Sequence, residues 1–157
     1  AYLLNYFLES FRGTLFRQTM FAEFEQTAHE MAATGESLTS QSLCSIYKKL
    51  NEDYFGPDTV TDPEIQYEWE RIPHFYTPFY VYQYATGFYA AIAISRKIFN
   101  GEPGILEGYK KFLSGGCCDT PIELLKLAGV DMSHTGPVEE ALKFFEELLN
   151  EFEELAQ

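Results

Sequence analysis

The chain has 157 residues, 46% of them hydrophobic, with a formal net charge of −13 and a sequence pI near 4.5. That length and apolar content suit one folded domain with a sizeable core and exclude a disordered chain. The acidic balance argues against a nucleic-acid partner, because phosphate binding needs a Lys/Arg surface.

No apolar run reaches the roughly 18 residues of a membrane span. The N-terminus has no basic region followed by a small-residue cleavage site. The three cysteines include the adjacent Cys117 and Cys118, which hardly bridge one another, so they read as reduced thiols in a cytoplasmic protein. The chain opens at Ala1 in mid-pattern, as expected of a piece of a longer protein.

Residues 2–33 read as one long helix, with Leu4, Phe7, Leu8, Phe11, Leu15, Phe21 and Phe24 near helical spacing. Tyr2, Leu3, Tyr6, Phe16 and Met20 fill much of its other side, so it is expected to be buried on most faces. Gly13 is unfavourable in mid-helix and is expected to mark a close helix contact. Arg12 and Arg17 call for carboxylate partners, with Glu9 and Glu23 as candidates. Thr34-Gly35 ends the helix.

A second helix spans residues 37–55, with Leu43, Ile46, Tyr47, Leu50 and Tyr54 as its stripe; Gly56-Pro57 stops it. After an Asp/Thr loop comes a short acidic turn over 64–70 that carries Trp69. The central helix is predicted over 78–99 and a fourth over 104–113. Thr120-Pro121 signals the start of a short helix to Leu127. The last helix runs from Gly136-Pro137 to about Leu155, apolar at 3–4 spacing, with seven Glu on a solvated face. No segment has strand periodicity, so the class is all-α.

Chemistry-bearing constellations are few. Glu25 and His29 lie four apart on one helix face and could in principle share a zinc, but no third ligand is near them in sequence, which favours a structural role. No HExxH, zinc-finger spacing, Walker loop or dinucleotide fingerprint is present. The strongest feature is RIPHFYTPFYVYQYATGFY, residues 71–89, with five tyrosines and His74. Each buried phenol needs a hydrogen-bond partner, so a row of them suggests a polar wall. Tyr80 and Tyr84 share a helix face, Tyr76 extends the row if the helix starts early, and His74 on the preceding loop can reach the same side. Such O–H and N–H donors suit a peptide carbonyl or an oxyanion. An aromatic-rich core helix is the plainer reading of the same residues.

FRGTLFRQTMFAEFE (11–25), LNEDYFG (50–56), IPHFYTPFYVYQYATG (72–87) and PIELLKLAGVDM (121–132), in that order, resemble the C-terminal part of oligoendopeptidase F, a bacterial branch of the M3 zinc metallopeptidases related to thimet oligopeptidase. The resemblance implies a helical segment of about six helices, residues 1–157, from the catalytic region of a larger zincin-like enzyme that hydrolyses short peptides. It implies that zinc serves the full-length enzyme, through an HExxH and a further Glu that this chain lacks, so no metal is expected on this chain alone. It assigns substrate and oxyanion contacts to His74 and Tyr80, with Tyr84 and Tyr76 behind them; which tyrosine faces the oxyanion stays open. The glycine pair Gly115-Gly116 can offer backbone amides to a ligand and is a substrate-binding candidate; in the family this turn continues with Ser, where this chain has Cys117-Cys118. Short peptides are the implied partners, and apolar helix faces suggest self-association of the isolated piece. The alternative is a non-catalytic helical module that binds a peptide or a partner helix.

Overall fold

The computed structural model of the chain describes residues 1–156, and among them there is no β-strand. Seven α-helices follow in order: α1 Tyr2–Ser10, α2 Arg17–Thr34, α3 Ser40–Phe55, α4 Tyr82–Phe99, α5 Ile105–Gly115, α6 Pro121–Leu127 and α7 Gly136–Ala156. The all-α class is as expected, and the helix count is close to six. None of the helices is long and apolar enough to cross a membrane. The described residues divide into two compact units, one of Arg12–Ala85 and one of Ala1–Phe11 with the chain from Thr86 onward.

The first predicted helix is interrupted. Between α1 and α2, Phe11–Phe16 form a π-helical turn that contains Gly13. A Cβ at Gly13 would meet nothing within 4 Å, so the glycine marks no close helix contact. It sits instead where i→i+5 bonding widens the coil.

In the unit Arg12–Ala85, α2 packs on α3, and a 3₁₀ helix over Pro63–Arg71 packs on α3. The core is Met20, Phe21, Phe24, Tyr47, Leu50, Ile72 and Val81, with Trp69 and Phe75 packed against it. Its rings meet edge to face: Phe24 lies 5.2 Å from Tyr47 at 85°, and Phe21 lies 5.5 Å from Phe75 at 67°. Such pairs contribute about 0.5–1.5 kcal/mol each beyond the area they bury. Helix α3 starts at Ser40 rather than Ser37, because Thr39 and Ser42 form a capping box: Thr39 Oγ1 accepts from the Ser42 N–H at 3.1 Å, and Ser42 Oγ from the Thr39 N–H at 3.0 Å.

A buried carboxylate ties this core together. Glu68 accepts from Arg17 Nη2 at 2.6 Å, from the Tyr47 hydroxyl at 2.7 Å and from Arg71. Arg17 therefore pairs with a carboxylate 51 residues away, not with Glu23 on its own helix. Burial alone would raise the Glu68 carboxyl, but the hydrogen bonds from Tyr47 and Arg17 outweigh it and hold it below its ordinary value. Burial first, and Glu68 second, push the Tyr47 phenol well above its usual range.

In the other unit α1 packs on α7 through an aromatic cluster. Phe11 is fully buried, 5.4 Å from Phe7, 5.0 Å from Phe88 and 5.3 Å from Phe145. Arg96 of α4 pairs with Glu147 at 2.6 Å and lies over the Phe144 ring at 4.3 Å. Ala90, Ala93, Ile94, Ala128 and Val130 form a second core. Helices α5 and α6 approach so closely that a Cβ on Gly108 would sit 1.9 Å from the Leu127 carbonyl oxygen. All seven Glu of α7 are exposed. So are Tyr2, Leu3 and Tyr6 of α1, at 81%, 79% and 68%.

Candidate functional site

The tyrosine stretch folds differently from the predicted single helix. Pro73–Tyr76 form a short 3₁₀ helix, a turn follows, and α4 begins only at Tyr82. The cause is Phe79, the one non-glycine with positive φ among the described residues, at +57°. A left-handed residue cannot continue a right-handed helix. For a bulky side chain this conformation costs about 1–3 kcal/mol and persists only where the surroundings impose it. Here the Phe79 N–H donates to Glu25 Oε1 at 2.7 Å, and the His29 ring lies 4.7 Å from the Phe79 ring. Glu25, at 6% exposure, is among the few buried charged residues.

The chain re-enters the helix directly after this turn. Gln83 N–H donates to the Tyr80 carbonyl and Tyr84 N–H to the Val81 carbonyl, each at 3.2 Å. Tyr80 thus lies outside α4, yet one turn of chain still stacks it near Tyr84. Their rings are 5.5 Å apart at 82°. His74 completes a trio. Its imidazole stacks on Tyr80 at 5.7 Å and 16°, meets Tyr84 edge-on at 5.8 Å, and its Nε2 lies 3.2 Å from the Tyr84 hydroxyl. Which of these two groups donates follows the histidine tautomer.

The trio is open to solvent, with Tyr80 39% and Tyr84 37% exposed and His74 exposed. The Tyr80 hydroxyl, hydrogen-bonded beside it, is the main cause that raises the Tyr84 phenol above its ordinary value of 10.0. Tyr84 therefore keeps its phenol proton to a higher pH than an ordinary tyrosine. Two phenols and an imidazole on one open surface can donate to a carbonyl oxygen, and more strongly to an oxyanion.

The other predicted positions fall elsewhere. Tyr76 shares the 3₁₀ turn of His74 but is 84% exposed and stands outside the ring contacts of the trio. Gly115 and Gly116 close α5 in the other unit; Gly116 has φ +57°, and Cys117 and Cys118 after it are exposed free thiols. Glu25 and His29, the pair considered for zinc, both engage Phe79 instead. No group of three or more His, Cys, Asp or Glu able to hold a metal occurs among the described residues. Sequence reasoning missed the Glu25–Phe79 contact, whose one visible signal was a glutamate among Phe21, Phe24 and Met20 on an apolar helix face.

Comparison with known proteins agrees with the fold and sets the chain in context. The chain is 54% identical to Oligopeptidase PepF of Bacillus subtilis over 155 residues, 98% of this chain and 23% of that protein. It is 50% identical to the chromosomal Oligoendopeptidase F of Lactococcus lactis subsp. cremoris, covering 99% of this chain and 26% of that one. The crystal structure of oligoendopeptidase-F from Enterococcus faecium superposes with a TM-score of 0.96 at 52% identity, over 99% of this chain and 30% of that chain. The chain thus spans about a quarter of the length of the curated relatives it matches. The sequence signature of Peptidase family M3 matches residues 1–144, and on that match and these identities the chain belongs to peptidase family M3.

Proposed function

We propose that this chain is the C-terminal, substrate-binding part of the catalytic domain of a zinc-dependent oligoendopeptidase that hydrolyses peptide bonds in short peptides. His74, Tyr80 and Tyr84 supply donors to the substrate carbonyl and to the oxyanion that develops when it is attacked. Tyr76 and the Gly115-Gly116 turn are secondary candidates for binding the peptide chain. The observation that carries the reading is the convergence of two phenols and an imidazole on an open surface, which a core helix does not need. The names of the relatives support the substrate class: the Bacillus protein is named an oligopeptidase and the Lactococcus protein an oligoendopeptidase.

The described residues do not themselves make a zinc site. The resemblance to the family implies a zinc held through an HExxH and a further Glu that this sequence does not contain; when bound, it would polarise the carbonyl and activate water. What the chain contributes is orientation and hydrogen bonding. A donor that strengthens as negative charge grows on oxygen lowers the barrier rather than merely tightening binding.

The test is Tyr80→Phe in the full-length enzyme, assayed on a short fluorogenic peptide. Loss of one oxyanion donor lowers kcat by about 10²–10³-fold, with KM nearly unchanged. A wild-type kcat with only a change in stability would make Tyr80 a packing residue.

A further inference from the structure

We propose that Glu25 is a positioning residue: its carboxylate holds the left-handed turn at Phe79 and thereby sets Tyr80 against His74. The inference rests on the reading of the trio as substrate-binding, but the contact that carries it stands apart from that reading.

A phenylalanine does not adopt φ +57° unaided. The preceding residue, Pro78, has no N–H to give, so the Phe79 N–H is the group that can be gripped at this turn. Glu25 grips it from α2, 54 residues away in sequence, with Oε1 at 2.7 Å. One helical turn further along the same face, His29 sets its ring against the Phe79 ring at 35°. Backbone and side chain of Phe79 are thus both held by α2. Glu25 is itself buried, on the same helix as the core residues Phe21 and Phe24.

Tyr80 is the next residue, so its direction is set by the Phe79 dihedrals. If Phe79 relaxes to negative φ, the Tyr80 backbone reorients and its ring leaves the His74 stack. A carboxylate serves better than a neutral acceptor, because a charged acceptor makes the shorter and stronger bond to a backbone N–H. Glu25 touches no member of the trio in the described contacts. It acts through Phe79, which separates it from residues that meet the substrate.

The experiment uses the full-length enzyme with two readouts: peptide hydrolysis, and the Hε1 resonance of His74 in histidine-labelled protein, assigned through His74→Gln. The stacked Tyr80 ring shifts that resonance. Glu25→Ala is expected to move it and to lower kcat by about 10–100-fold, as misplacing a reacting group by about an ångström does, with little change in KM. Glu25→Gln, which keeps an acceptor oxygen, should recover most of the loss. Adding Phe79→Gly to Glu25→Ala should also recover part of it, since glycine takes positive φ without steric cost. In a Tyr80→Phe background Glu25→Ala should lower kcat no further.

A His74 resonance and kcat that are unmoved in Glu25→Ala overturn the proposal. So does a kcat loss that persists undiminished in the Tyr80→Phe background. If Tyr80→Phe alone keeps wild-type kcat, the substrate-binding reading fails, while a shifted His74 resonance in Glu25→Ala still supports the positioning. Should Glu25→Ala not fold, Phe79→Val carries the same test, because a β-branched residue resists left-handed φ.

Discussion

Glu68→Ala probes the tie at the centre of the unit Arg12–Ala85. The carboxylate is 7% exposed and accepts from Arg17, Arg71 and Tyr47. The three bonds are not equal. The Arg71 side chain is 72% exposed and adjacent on the same 3₁₀ helix, so its pair contributes under about 1 kcal/mol. Arg17 is 27% exposed, and breaking a buried pair from one side costs about 3–5 kcal/mol; partial access to water places this one at the lower end. The fully buried Tyr47 hydroxyl, left without its acceptor, costs about 1–3 kcal/mol. The contributions share one carboxylate and overlap, so the expected loss is about 4 kcal/mol. With a urea m-value of about 2 kcal/mol/M, the midpoint of unfolding should fall by about 2 M, followed by far-UV circular dichroism. Tyr47→Phe alone should cost less, and almost nothing once Glu68 is already Ala. A midpoint shift in Glu68→Ala under about 0.5 M, on the same m-value, would refute the assignment of Glu68 as the tie.

The same network predicts how stability depends on pH. Glu68 has a folded-state pKa below its ordinary 4.5, so its contribution is complete above that pH and is lost as pH falls through the folded value. The urea midpoints of the native chain and Glu68→Ala should therefore converge as the pH is taken below 4.5. Tyr47 is shifted the other way, chiefly by burial, so its contribution is complete below pH 10.0 and is lost at higher pH. Gly108→Ala should destabilise by about 2–3 kcal/mol, because the new Cβ meets backbone at Leu127 and α5 and α6 must part. Gly87→Ala, in α4 with nothing within 4 Å of the new Cβ, should stabilise by up to about 1 kcal/mol in the same assay.

Much of the fold could be read from periodicity and punctuation. Thr120-Pro121 opens α6 and Gly35 closes α2 in a left-handed cap, as their chemistry dictates. The departures have local causes that no residue pattern announces. The π turn at Phe11–Phe16 leaves the 3–4 spacing nearly intact, so it hides inside an ordinary helical signal. Glu68 reads as one more charge in an acidic turn, because its partners Arg17 and Tyr47 come from elements far away in sequence.

The candidate site was legible in kind and partly wrong in construction. His74, Tyr80 and Tyr84 do meet, but Tyr80 reaches Tyr84 from a turn outside α4 and not along a helix face. The four-residue spacing is what helix and turn have in common here. Tyr76 joins the row only with an early helix start, which the Phe79 turn prevents. A positive φ at a phenylalanine has no sequence signal, since glycine or asparagine would be the usual occupant. In the structure the Phe79 N–H is met by Glu25 and the Phe79 ring by His29.

The most direct measurement compares two ligands on the full-length enzyme and its Tyr80→Phe variant: a phosphinate peptide that mimics the tetrahedral intermediate, and the matching uncleaved peptide. If the trio stabilises the oxyanion, Tyr80→Phe weakens the phosphinate by about 10²–10³-fold, the size of one lost donor, and leaves the Kd of the uncleaved peptide nearly unchanged. Equal weakening of both ligands would make the trio a general peptide-binding surface, and no weakening of either would remove Tyr80 from the site.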